Sequence, residues 1–220
     1  MAKKQAFIIS FEGIEGTGKS TQSRLLGNFL KSKGFKTAFF REPGSSVFGE
    51  QIRNVLLHSK SKLSALTETL LFIAAREQLR LEKIEPNIRK KDIVILDRYI
   101  DATVAYQGYG SGVDLKLINQ LNQAAIGKCI PDLTILFDID PRIGLIRCGR
   151  GDRFEKRRLA FHKRVRAGYL RIAKADFKRI KIIKVNTDIK TIQKQLRDII
   201  ANEFDLRKNK QASRLFKKQL

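Results

Sequence analysis

The densest chemistry in the chain is Gly13-Ile14-Glu15-Gly16-Thr17-Gly18-Lys19-Ser20, a full match to GxxxxGK[ST], followed by Thr21. Glycines free the backbone to curl, so that successive N–H groups point at one anion. In this pattern Lys19 reaches the β- and γ-phosphates, and the Ser20 hydroxyl is offered to Mg²⁺. The spacing therefore predicts a nucleoside triphosphate site. A second cluster is Asp97-Arg98, which closes the apolar run DIVILD. A carboxylate at the end of a buried strand in such a protein takes the Walker-B place, holding the metal directly or through water. Phe72 and Arg76 stand four residues apart on a helical pattern and share a face. Further on come Arg142, Arg147, Arg150, Arg153, Arg157 and Arg158, a supply of positive charge for polyanions.

These groups need elements to hold them. Residues 6–11 are apolar or small and suit a buried strand. The helical pattern beyond the loop puts Leu25, Leu26, Phe29 and Leu30 on one side. Residues 36–42 read as a second strand, stopped by Pro43-Gly44, which leaves Arg41 and Glu42 at its C-terminal edge. Open α/β sheets bind ligands at that edge. Helices are expected over 46–57, carrying Arg53, and over 64–88, with Leu66, Leu70, Ile73 and Leu81 as its apolar stripe. Strand three is 92–97, then a segment 100–112 containing AYQGYG, a helix over 114–126, strand four at 133–138 and strand five at 181–186. Pro141 starts another helix, and residues 188–204 form the last one. Alternating strands and helices predict an α/β protein with a parallel sheet.

At 220 residues the chain can bury a substantial core. No run approaches the roughly 20 apolar residues of a membrane span. The start, MAKKQ, leads straight into a strand, so no signal peptide is expected. Cys129 and Cys148 lack CxxC spacing and histidine company, and read as reduced residues of a cytoplasmic protein. His58 and His162 have no ligand partners at useful spacing and are expected at the surface or in helix packing. The net charge is +23, and +18 of it falls after Asp140, where 25 basic residues face 7 acidic ones. Such asymmetry keeps nucleic-acid binding as a minor reading, against a solvated helical face with a basic tail over 207–220.

In register along the chain, FEGIEGTGKST, REPG, LLFIAAREQ, LDRY with AYQG, PDLTILFDIDP and DRFE resemble the bacterial thymidylate kinases, from about residue 7 to residue 202. The resemblance implies a three-layer P-loop NTPase fold, with five parallel strands in the order 2-3-1-4-5 flanked by helices. It implies one kinase domain over 1–206 with a short helical lid at about 142–158, and a homodimer. It implies transfer of the ATP γ-phosphoryl group to dTMP with Mg²⁺, giving dTDP and ADP. Gly13, Ile14, Glu15, Gly16, Thr17, Gly18, Lys19, Ser20 and Thr21 then hold ATP, with Ser20 and Asp97 on the metal side. Glu15 also faces the sugar 3′-hydroxyl. Phe72 stacks on thymine and Arg76 donates to a base carbonyl. Arg98 clamps the dTMP phosphate beside Asp97, while Thr103 and Gln107 meet the pyrimidine edge. Tyr106 lies below the deoxyribose, where it crowds a 2′-hydroxyl. Arg41 and Arg53 are further phosphate contacts.

Some family members carry an arginine inside the phosphate loop. Here that position is Gly16, so Arg150 and Arg153 of the lid are expected to supply the catalytic charge, with Arg147 three before Arg150. The sequence also departs from the pattern at Ala102, at Ser45-Ser46 after REPG, in a short lid, and beyond Phe204. The alternatives are another nucleoside monophosphate kinase, or a catalytically weak nucleotide-binding homologue.

Overall fold

The computed structural model describes residues 6–148 and 151–207, with side chains described as far as residue 203. Arg150 and most of the expected tail therefore lie outside the described residues. Five parallel strands, β1 (Phe7–Glu12), β2 (Thr37–Arg41), β3 (Ile93–Asp97), β4 (Leu133–Asp138) and β5 (Ile180–Lys184), form one sheet in the order β2-β3-β1-β4-β5. β1 and β3 are buried along their whole length, as continuous apolar runs covered on both faces must be, whereas the edge strands β2 and β5 alternate in exposure.

One face of the sheet, with Ile8, Val94 and Leu96, packs on α3 (Ala65–Leu79), on α4 (Glu85–Ile88), on the π-helical stretch Arg80–Ile84 between them, and on α6 (Leu115–Ile126). The other face, with Phe7, Ile9, Phe11, Ile93 and Ile95, packs on α1 (Lys19–Ser32) and α9 (Ile189–Arg207), and its cluster runs on into Phe161 and Val165 of α8 (Leu159–Ala175). Two faces covered by helices give the three layers expected. α2 (Val47–His58), α3 and α6 start at Ser46, Ser64 and Asp114, whose side chains accept the N–H of Gly49, Thr67 and Leu117.

The expected 64–88 helix differs in two ways. Its ladder widens to π geometry at Arg80–Ile84. Its stripe is not core, because Leu66, Leu70 and Leu81 are exposed and only Ile73 is buried. Periodicity marks an apolar face without saying what covers it. The segment after Asp97 is a short helix, α5 (Ile100–Thr103), running into a second π-helical stretch, Val104–Gly110. α7 (Pro141–Cys148) forms the first part of the segment read as a lid.

Candidate active site

Parallel pairing sets Asp97 opposite both Phe11 and Arg41, so the carboxyl ends of β1, β2 and β3 finish together. Beyond them opens a cavity of about 480 Å³. It is lined from the phosphate loop by Glu15, Gly16, Gly18, Lys19, Ser20 and Thr21. Arg41, Arg53, Phe72, Arg76, Asp97, Arg98, Thr103, Tyr106 and Gln107 line the rest, together with Arg147, Cys148, Asp152, Phe154 and Glu155. Nearly all the residues singled out in the sequence thus meet in one place. Gly13, Ile14 and Thr17 shape the loop instead. Ile14 is buried, and its carbonyl oxygen accepts from Lys19 Nζ at 3.1 Å and Thr17 Oγ1 at 3.0 Å.

Gly18 caps α1 in the left-handed region (φ 77°), aiming the helix N-terminus into the cavity. Gly16 is also left-handed (φ 69°), and a Cβ there would stand 2.0 Å from the carbonyl oxygen of Gly144 in α7. In turn, a Cβ on Gly144 would stand 2.5 Å from the Glu15 carbonyl oxygen. α7 therefore lies directly on the phosphate loop, and two glycines permit it. Lys19 is buried, and burial with the Arg98 charge pushes its pKa down to about 8, partly opposed by Asp97, Glu15 and Glu12.

Arg98 follows β3 in a left-handed conformation (φ 68°), at a cost of roughly 1–2 kcal/mol for a residue with a Cβ. Its Nη1 donates to the Gly13 carbonyl (3.0 Å), Nη2 to Glu15 Oε1 (3.3 Å), and its guanidinium lies over the Tyr106 ring at 4.9 Å. Tyr106 O–H also donates to Glu15 Oε1. Burial works to raise the Glu15 pKa, but His162, Arg98, Lys19 and Tyr106 overcome it and hold it at about 2. Glu12, just ahead of the loop, behaves oppositely. Burial and the nearby Asp101 push it up to about 8, against Arg98 and donors from Tyr169 and Tyr99.

Arg76 is fully buried. Its Nε and Nη2 clasp both oxygens of buried Glu42, Nη2 also meets the Tyr99 carbonyl and Thr103 Oγ1, and Nη1 donates to Asn122. Among the described contacts one Nη1 hydrogen of this rigid ion pair is left without a protein acceptor. Arg41 pairs with Glu50 at 2.9 Å, and Arg53 donates to the Pro43 carbonyl at 3.0 Å, both at the cavity rim.

Arg153 is not where the arginine pattern suggested. It turns away from the cavity, with Nε on the Leu56 carbonyl (2.9 Å) and Nη2 on Glu68 (2.6 Å). The described lid arginine that does line the cavity is Arg147. The neighbouring Phe154 is held there by a tight turn, in which Asp152 Oδ1 accepts the N–H of Phe154 and Glu155. Its ring sits edge-on to Phe72 (5.9 Å) and Tyr106 (6.2 Å).

His162 is neither a surface residue nor plain packing. It is fully buried, with Nδ1 3.2 Å from Glu15 Oε2. Tyr169, one α8 face-repeat later, donates to Glu12 at 2.9 Å. Glu12, Glu68, Asn122, Phe154, His162 and Tyr169 were given no site role from the sequence. For Glu68 a signal existed, since it precedes Phe72 by four and Arg76 by eight on one helix face.

Ser20 and Asp97 supply a hydroxyl and a carboxylate to the same cavity. No group of three or more His, Cys, Asp or Glu among the described residues could hold an ion unaided. Mg²⁺ fits that donor set, because it keeps several waters and binds through one or two protein oxygens plus substrate phosphates. No helix among the described residues is long and apolar enough to cross a membrane.

A family model described as thymidylate kinase matches residues 11–196. A thymidylate kinase of Kosmotoga olearia is 43% identical over 191 residues, covering 86% of this chain and 92% of that protein. One from Syntrophotalea carbinolica is 45% identical, covering 82% and 88%. The crystal structure of thymidylate kinase from Ehrlichia chaffeensis superposes with a TM-score of 0.75 at 37% identity, covering 89% of this chain and 98% of that one.

Proposed function

The chain belongs to the thymidylate kinase family, and from that premise we propose how its residues phosphorylate dTMP with ATP to give dTDP and ADP. The acceptor phosphate is already anionic, so no strong general base is needed. The difficulty is bringing two polyanions into line, and positioned positive charge overcomes it. Lys19 and the loop amides hold the ATP β- and γ-phosphates. Ser20 and Asp97 would hold Mg²⁺, which would supply charge to offset that of the phosphates. Arg98 takes the dTMP phosphate, with Arg41 and Arg53 behind it. Its present partners, the Gly13 carbonyl and Glu15, keep it extended toward the loop.

Phe72 offers a face for the base, with the remaining Arg76 donor, Thr103 and Gln107 at its edge. Tyr106, braced by Glu15 and Arg98, closes the sugar side against a 2′-hydroxyl. Arg147, on α7 over the phosphate loop, supplies the lid charge assigned to Arg150 and Arg153 by sequence. α7 and residues 151–158 would exclude water from the bound nucleotides, as a lid does. The exposed Leu66 and Leu70 of α3, with Val47, Phe48 and Val55 of α2, support a homodimer through that face. The reduced cysteines and the lack of a membrane helix among the described residues agree with a cytoplasmic enzyme.

The observation that carries this reading is the convergence of Lys19, Asp97, Arg98, Phe72 and Tyr106 on one cavity. Phe72→Ala tests it. The KM for dTMP should rise by about tenfold or more, as expected for losing a stacked ring, while the KM for ATP stays unchanged. An unchanged KM for dTMP would remove Phe72 from the base site.

A further inference from the structure

One carboxylate in the structure joins the Gln107 side of the cavity to the lid arginines. Glu68 is completely buried on α3. Its Oε1 accepts from Gln107 Nε2 at 3.0 Å. Its Oε2 accepts from Arg153 Nη2 at 2.6 Å and from Arg157 Nη2 at 2.7 Å. Arg153 is further tied to the Leu56 carbonyl, and Arg157 to Ser111 Oγ. The carboxylate cannot swivel, because two guanidinium groups from the lid segment hold one oxygen and leave the other for Gln107.

An amide has a donating end and an accepting end, and a carboxylate held by two cations accepts only. Glu68 therefore takes the NH₂ end of Gln107, and the carbonyl oxygen becomes the end available to the cavity that Gln107 lines. Among the described residues no other side-chain hydrogen bond engages that amide. We propose that Glu68 is a positioning residue, which locks the Gln107 amide with its carbonyl toward the bound base and so favours pyrimidines that carry a proton on ring nitrogen 3. Thymine offers N3–H to that oxygen. Cytosine offers a lone pair there, and two acceptors facing each other in a buried site cost a hydrogen bond and add repulsion. The inference rests on the assignment of the thymine site at Phe72 and Gln107.

The test is calorimetric titration of the full chain with dTMP and with dCMP, for the wild type, Glu68→Gln, Glu68→Asp and Gln107→Met. Glu68→Gln frees the Gln107 amide to turn over. Glu68→Asp keeps the charge for Arg153 and Arg157 but draws the acceptor back by one methylene. In either folded variant the Kd ratio of dCMP to dTMP should shrink by about tenfold, the worth of one fixed hydrogen bond. In the Gln107→Met background Glu68→Asp should change that ratio no further, which a merely structural role would not produce. Should Glu68→Gln fail to fold, the Asp variant alone decides. A ratio within twofold of wild type in folded Glu68→Asp would overturn the proposal. Wild-type protein that does not bind dTMP would instead overturn the site assignment on which it rests.

Discussion

Gly16→Ala puts the contact between the phosphate loop and α7 under strain with one methyl group. Two costs can be worked out separately. The first is conformational, since Gly16 sits at φ 69° and a residue with a Cβ pays roughly 1–2 kcal/mol there. The second is steric. The new methyl would lie 2.0 Å from the Gly144 carbonyl oxygen and 2.6 Å from its carbonyl carbon, both backbone atoms that no rotamer change can move. Reaching about 3 Å requires α7 to retreat from the loop by about 1 Å, in an interior packed too closely to absorb the shift. α7 carries Arg147, for which a catalytic contact is proposed, and a displacement of that size at such a contact is worth up to about 10²-fold in rate. The expected result is a kcat lowered by about 10- to 100-fold with a raised KM for ATP, and a melting temperature lower by about 2–8 °C. The KM for dTMP should change little. Steady-state kinetics at varied ATP, with thermal unfolding of the same preparation, provides the measurement. A Gly16→Ala enzyme whose kcat and ATP KM lie within twofold of wild type would refute the claim that α7 is seated on the loop.

Two of the described lid arginines, Arg147 and Arg153, should separate cleanly. Arg147→Ala should lower kcat by about tenfold or more with little change in melting temperature. Arg153→Ala should destabilise the fold by about 1–3 kcal/mol, because it deprives buried Glu68 of one of its two cations. The stability profile against pH should have two limbs. Glu15, depressed to about 2 from 4.5, contributes stability that is complete above pH 4.5 and is lost as pH falls toward 2. Glu12, raised to about 8 from 4.5, keeps its proton in the fold where the unfolded chain has lost it, so its contribution fades as pH rises from 4.5 to 8. Melting temperatures should therefore peak in the weakly acidic range, and Glu12→Gln should flatten the limb between pH 5 and 8.

The sheet was legible because β1, β3 and β4 are short apolar runs bounded by charge or glycine, and their strand order followed from the family resemblance. The phosphate loop was legible because its glycines and Lys19 occupy fixed places in one continuous stretch. The partners of Arg153 were hidden for a physical reason. The spacing of arginines tells how many cations are available, but the buried carboxylate that captures them, Glu68, lies 85 residues earlier. His162 was hidden in the same way, since its neighbour Glu15 comes from a distant loop. The exposed Leu66 and Leu70 carry the opposite lesson: a correct apolar stripe does not reveal whether its cover is in the same chain.

The claim at the centre is that this cavity joins dTMP to ATP and selects the base while doing so. Coupled ADP release, measured side by side with dTMP, dUMP, dCMP, AMP, GMP and the ribonucleotide of thymine, tests it most directly. Turnover should be fastest with dTMP and fall sharply for the ribonucleotide, dCMP and both purines. Protein that leaves dTMP unconverted with ATP and magnesium, yet turns over another monophosphate, would contradict it.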